Sequence, residues 1–166
     1  MTLSIVVLAL VTAQRLGELI LANRNTRRLL ARGAVESGAG HYLFIVILHA
    51  AWLVGLWLLA WDRPVSLPLL GVFVVLQAAR VWVIATLGSR WTTRIITLPG
   101  APLVRSGPFR FLSHPNYVVV ALEIAILPLA FGLVGYAIAF TLLNAAMMWV
   151  RIRSESAALG AAATRI

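Results

Sequence analysis

Apolar positions fall into five long runs separated by short polar or arginine-bearing segments. The first extends from Leu3 to about Ala22 and is interrupted by Gln14, Arg15 and Glu18. Tyr42–Trp61 is almost purely apolar, and Leu67–Leu87 contains Gln77 and Arg80. Tyr117–Phe131 and Val134–Val150 follow, joined so closely through Gly132–Gly135 that they read as a helical hairpin. Each run approaches the roughly 20 residues that an α-helix needs to cross a bilayer. The first run is not expected to be a cleaved signal peptide: no basic segment precedes it, and its polar residues lie inside the apolar stretch.

Composition narrows the class. Of 166 residues, 61% are hydrophobic and 11% charged, with a mean hydropathy of +0.95. A soluble domain is about 45–50% apolar and about 25% charged, so a soluble enzyme, a disordered tail and a collagen-like fibre are excluded. The chain has no cysteine, which removes disulfides, thiolate metal sites and cysteine nucleophiles. The expected fold is an all-α integral membrane protein with five transmembrane helices in a single domain, residues 1–166. Helices 1–3 occupy 1–88; a loop, helices 4–5 and a tail occupy 89–166.

Charge then orients it. The net charge is +9, and all fourteen basic residues are arginine. A nucleic-acid partner would need a basic face on a soluble fold. Here Arg24, Arg27, Arg28 and Arg32 lie in one inter-span segment and Arg90, Arg94, Arg105 and Arg110 in another. Arg151, Arg153 and Arg165 follow the last run. Asp62–Ser66 carries one charge of each sign. This alternation predicts the N-terminus outside and the C-terminus in the cytoplasm, with Gly38 and Gly100 inside and Arg63 outside. The membrane and its lipids are the expected surroundings, and no nucleic acid is expected.

Ser89–Asn116 contains Pro99, Pro102, Pro108 and Pro115, which forbid a long helix and predict an ordered, irregular cytoplasmic loop. A loop of that length in a small domain is usually functional. Ala157–Ala163 reads as a short helical tail.

Ionisable groups inside a membrane are expensive and mark candidate chemistry. Arg15 and Glu18 share a helix face and can pair, and Arg80 requires a partner. These three read first as structural interhelical pairs. Glu123 is balanced between such pairing and lining a substrate pocket. Arg151 and Glu155, four apart, share a face of the last helix, where a surface ion pair is the simpler reading. Arg153 points elsewhere and reads as a topology or headgroup charge. Pro115 suits the first turn of a helix, and Tyr117 an interfacial aromatic belt. His41, His49 and His114 have no metal-ligand spacing, so no metal is expected.

The order "GPFR…HPNY", a short hairpin, then "RIRSE…L" resembles the isoprenylcysteine carboxyl methyltransferase family over Leu98–Leu159. "RLGELILANRNTRRLLARGAVESGAGHY" and "RWTTRIITLPG" resemble a bacterial branch that O-methylates alkylpyrone or alkylresorcinol lipids beside type III polyketide synthases. The resemblance implies an S-adenosylmethionine-dependent O-methyltransferase in the bacterial cell membrane, its active site facing the cytoplasm. Its acceptor would be a lipid bearing an isoprenylcysteine-type carboxylate or a polyketide hydroxyl or enol. His114, Pro115, Asn116 and Tyr117 match the cofactor motif, Leu103, Val104 and Phe109 the upstream cofactor loop, and Glu155 the cofactor-holding glutamate. Arg151 matches the arginine facing the substrate, giving it the catalytic role of orienting the nucleophile; Glu123 is the second substrate-side candidate. Ser113 and Ser156 replace the family's usual charged residues. The competing expectation is a small transporter or scaffold subunit whose intramembrane Arg and Glu residues form a polar path; a transporter site would sit at the midplane.

Overall fold

A computed structural model describes residues 2–163; Arg165 and the side chain of Ser156 lie outside the described part. The apolar runs form α1 (Thr2–Leu30), α2 (Ala39–Ala60), α3 (Leu67–Leu87), α4 (Pro115–Ala130) and α5 (Val134–Ala163). Four of these, α1, α2, α3 and α5, are long and apolar enough to cross a membrane. α4 has 16 residues, about 24 Å at about 1.5 Å per residue, so it falls short of a roughly 30 Å hydrocarbon core.

Two polar contacts tie one end of the bundle. Ser4 Oγ donates to the Trp61 carbonyl at 2.9 Å, and the Ser66 N–H donates to the Ala130 carbonyl at 2.8 Å. In the adjoining half the apolar faces meet: Val7, Leu8 and Val11 of α1, Trp52 and Leu56 of α2, Phe73 of α3 and Ile124 and Leu127 of α4. Burial there removes side chains from the surface at about 25 cal/mol per Å² against water, but lipid tails are as apolar as leucine. Specificity therefore comes from shape and from polar ties such as Trp57 Nε1 donating to Thr12 Oγ1 at 2.9 Å. Gly55 lets Tyr136 approach α2, where its hydroxyl donates to the Trp52 carbonyl at 2.8 Å; a Cβ on Gly55 would lie 2.2 Å from that hydroxyl.

The opposite end carries most of the arginines and differs from the sequence expectation in two ways. α1 does not stop near Ala22 but continues to Leu30, because Ala22, Asn25 and Leu29 are buried there. Asn25 Nδ2 donates to the carbonyls of Gly88 at 3.1 Å and Trp91 at 2.8 Å, fastening α1 to the end of α3. The proline-rich segment is also not wholly irregular. Ile95–Thr97, a run of β-branched residues suited to a pleated ladder, forms β2 and pairs antiparallel with β1 (Val35–Ser37), Glu36 opposite Ile96. A bridge from Arg94 to Glu36 at 3.0 Å closes this ribbon, and the Arg94 guanidinium lies 4.6 Å from the Tyr42 ring centroid. The all-α bundle thus carries a two-stranded clasp.

Pro115 occupies the first turn of α4, as expected, with His114 as its N-cap. At the far end of α4, Gly132 N–H bonds to the Leu129 carbonyl and Leu133 N–H to the Pro128 carbonyl, both at 2.9 Å. Gly132 itself is left-handed, φ 70°. This paired closure turns the chain back into α5. Gly135 lies inside α5 and takes no part in the turn.

Candidate functional site

At the arginine-rich end a cleft of about 820 Å³ opens between the ribbon, the proline-rich segment and the facing ends of α4 and α5. Its size falls within the roughly 300–1,000 Å³ usual for small-molecule sites. Leu103, Val104, Phe109, His114, Pro115, Asn116, Tyr117, Arg151 and Glu155 all line it. The candidate cofactor and substrate residues, Glu123 excepted, are therefore brought to one place from three separate segments.

The geometry centres on Tyr117. Its hydroxyl donates to Glu155 Oε2 at 2.5 Å and receives a longer bond from Arg151 Nε at 3.4 Å. The Arg151 guanidinium also lies 5.6 Å from the Tyr117 ring centroid, within cation–π range. His114 stacks on Tyr117 at 5.3 Å, and its Nδ1 lies 3.6 Å from Glu155 Oε2, an ion pair when the imidazole is protonated. Arg151 and Glu155 make no ion pair with each other. Both turn to the tyrosine across from them, so the expected surface pair is replaced by an interhelical junction of α4 and α5. The two terminal nitrogens of Arg151 and Oε1 of Glu155 have no protein partner among the described residues.

Two further polar atoms belong to the cleft's wall. Trp91 Nε1, a donor, and Asn116 Oδ1, an acceptor, are buried without a hydrogen-bond partner, and both residues line the cleft. An unpaired buried polar group costs about 1–3 kcal/mol. Both atoms are sealed within the wall rather than open to the cleft. Of the groups that line the cleft, Oε1 of Glu155 can accept from an ammonium or a hydroxyl, and the Phe109 ring can face a cation.

Glu123 lies elsewhere. It is 0% exposed, and both its oxygens are taken. Gln77 Nε2 donates to Oε1 at 2.8 Å, while Arg15 and Arg80 donate to Oε2 at 2.7 and 2.9 Å. Arg80 also grips Glu18 with a two-pronged fork, at 2.5 and 2.6 Å, and Arg15 reaches Glu18 at 3.1 Å. Gln14 bridges Glu18 and Gln77. Two guanidinium groups, two carboxylates and two amides close on themselves across α1, α3 and α4. The substrate-side placement of Glu123 is thus replaced by the structural one, since a carboxylate deep in an apolar bundle is kept only where it is paired and bonded. The pairs expected of Arg15, Glu18 and Arg80 are present.

Arg90, Trp91, Thr92 and Arg94 also line the cleft and were not among the sequence-derived candidates. They sit there because the ribbon folds Trp91–Thr97 back over the cleft. Arg153 stacks 3.9 Å from the Trp149 ring, away from the cleft, in keeping with a headgroup charge.

The profile of the isoprenylcysteine carboxyl methyltransferase family matches residues 69–161, which include the proline-rich segment, α4 and most of α3 and α5. A Bacillus subtilis protein described as uncharacterized, YpbQ, is 36% identical over 157 residues, covering 92% of this chain and 94% of that protein. A Haemophilus influenzae protein, also described as uncharacterized, is 28% identical over 114 residues, 66% of each. No solved structure matches the chain significantly.

Proposed function

The chain belongs to the isoprenylcysteine carboxyl methyltransferase family, a family of membrane methyltransferases, and from that premise we propose that it O-methylates a lipid using S-adenosylmethionine at the cytoplasmic face. One observation carries this reading: nine residues of the family-like motifs, divided in sequence by the whole α4–α5 hairpin, line a single cleft.

When bound, S-adenosylmethionine supplies an electrophilic methyl group on a sulfonium sulfur. The chain's own part is binding, orientation and exclusion of water. Oε1 of Glu155 accepts from an ammonium or a hydroxyl. Tyr117 holds Glu155 and Arg151 in register with one hydroxyl. The free fork of Arg151 grips two oxygens of an acceptor headgroup and sets one of them in line for displacement. A carboxylate or acidic enol enters this arrangement already ionised, so no protein base is required for it.

Titration calorimetry in detergent with S-adenosylmethionine tests the reading. Binding is expected, and Glu155→Ala and His114→Ala each weaken it roughly tenfold to a hundredfold, the worth of a charge-assisted hydrogen bond of about 1.5–3 kcal/mol. No binding heat from the folded protein, or unchanged affinity in both variants, removes the proposal.

A further inference from the structure

Helix geometry fixes how deep the cleft wall lies. Trp82 on α3, Trp149 on α5 and Pro115, the first residue of α4, each lie about 22 Å along their helices from Leu67, Val134 and Ala130 respectively. Trp82 and Trp149 are exposed on the outside of the bundle. Arg153 lies over Trp149 as a cation reaching past an interfacial ring does. Two tryptophans at one level mark an aromatic belt, and α4 begins at that same level. The residues just before α4 therefore lie in the membrane interface rather than clear of it.

A second contact puts the proline-rich segment at the same depth. Its 3-10 turn, Gly107–Arg110, presses on the last turns of α3. A Cβ at Gly107 would lie 2.5 Å from Thr86 Oγ1 and 3.3 Å from Trp82 Nε1, and φ there is 54°. The turn is thus held directly against the belt. The residues around it are unusually apolar and exposed for a loop: Phe111 is 75% exposed, Leu103 60% and Leu112 47%. Arg105 and Arg110 flank these residues, both exposed, and neither has a carboxylate within ion-pair distance among the described residues. Arg110 lies 6.0 Å from the Phe111 ring centroid.

Apolar side chains backed by unpaired arginines at belt depth match one partner, a leaflet with anionic headgroups. We propose that residues 105–112 form an interfacial anchor: Phe111 and Leu112 enter the acyl boundary while Arg105 and Arg110 take anionic phospholipid headgroups. The anchor goes beyond the methyl-transfer reading and does not depend on it. Because Arg105 and Arg110 also wall the cleft, the same insertion holds the cleft's lip at the lipid surface.

The absence of cysteine makes the test direct. A nitroxide on Leu112→Cys, with the full chain in phosphatidylcholine nanodiscs with or without phosphatidylglycerol, reports depth through collisions with oxygen against a water-soluble nickel chelate. The label should favour oxygen, more strongly with phosphatidylglycerol, while a label on Arg32→Cys, beyond α1, favours nickel. Adding Arg105→Gln and Arg110→Gln should remove the phosphatidylglycerol effect, shifting the immersed-to-aqueous ratio by up to about thirtyfold for two interfacial arginines. Adding Phe111→Ser should draw the label toward water in both lipids. Nickel accessibility at position 112 in both lipids overturns the anchor. Immersion indifferent to phosphatidylglycerol and to loss of both arginines overturns its anionic-lipid partner.

Discussion

At the scale of single residues, the two kinds of arginine differ in what they leave free. Arg80 spends Nε and both terminal nitrogens on Glu18 and Glu123, so it is a structural cross-tie with nothing left to offer a substrate. Arg151 spends only Nε, and that on a long bond to Tyr117. An ammonium on a flexible stem cannot reproduce a planar fork. Arg151→Lys should therefore keep cofactor affinity, because Glu155 and Asn116 stay in place, and lose turnover and acceptor affinity, by about tenfold or more for one lost two-point grip. An exposed ion pair worth about 0–1 kcal/mol would tolerate lysine freely. Methyl transfer and cofactor binding measured side by side decide the matter: a fully active lysine variant, or one defective in cofactor binding alone, contradicts the substrate-clamp role. This division was half visible in the sequence. Spacing put Arg15 with Glu18, but the bond between Arg80 and Glu123 joins residues 43 apart, and no local pattern encodes which buried carboxylate an arginine will choose.

At the scale of elements, the helices were legible because each writes its own apolar run, and the ribbon was not because its two strands write only three residues each. Ile95–Thr97 has β propensity, yet its partner Val35–Ser37 lies beyond an entire helical hairpin, and pairing at that distance is a tertiary fact. The same holds for the extension of α1, where Asn25 is kept helical by carbonyls at the end of α3. The α4–α5 turn shows where a local signal is reliable but easily over-read. Two glycines flank the turn in sequence, but only Gly132 has positive φ, with open space around it. Gly132→Ala should then cost about 1–2 kcal/mol through backbone strain alone. Gly135→Ala, in the first turns of α5 with nothing within 4 Å of the added Cβ, should be neutral or stabilising by up to about 1 kcal/mol. Unfolding midpoints of the two variants in mild detergent should move in opposite directions or differ clearly; equal losses would mean that the turn is held by something other than the paired closure at Gly132.

At the scale of the whole molecule, the two ends are chemically unlike, and that difference predicts an orientation. Arg24, Arg27, Arg28 and Arg32 follow or end α1, Arg90 and Arg94 follow α3, Arg105 and Arg110 precede α4, and Arg151 and Arg153 lie in the later part of α5. All belong to the end that carries the ribbon and cleft. The other end has Arg63 beside Asp62, and its loops are tied by backbone carbonyls rather than by charge. Translocating a short arginine-rich segment is disfavoured, so the cleft end should face the cytoplasm and the Ala60–Leu67 and Ala130–Val134 connections the outside. The positions used to test this matter. Gly38 has φ 66°, and a Cβ there would lie 2.2 Å from the His41 ring, while Gly100 is also left-handed. Cysteine at either would strain the segment it reports on. Arg32→Cys and Arg63→Cys avoid that, since both side chains are exposed and neither enters an ion pair among the described residues. In intact cells a membrane-impermeant maleimide should label the residue-63 cysteine, and the residue-32 cysteine should react only after permeabilisation. Labelling of both before permeabilisation would mean that the two ends do not lie on opposite sides. The reverse pattern would put the cleft outside, away from the cytoplasmic supply of S-adenosylmethionine on which the proposed reaction depends.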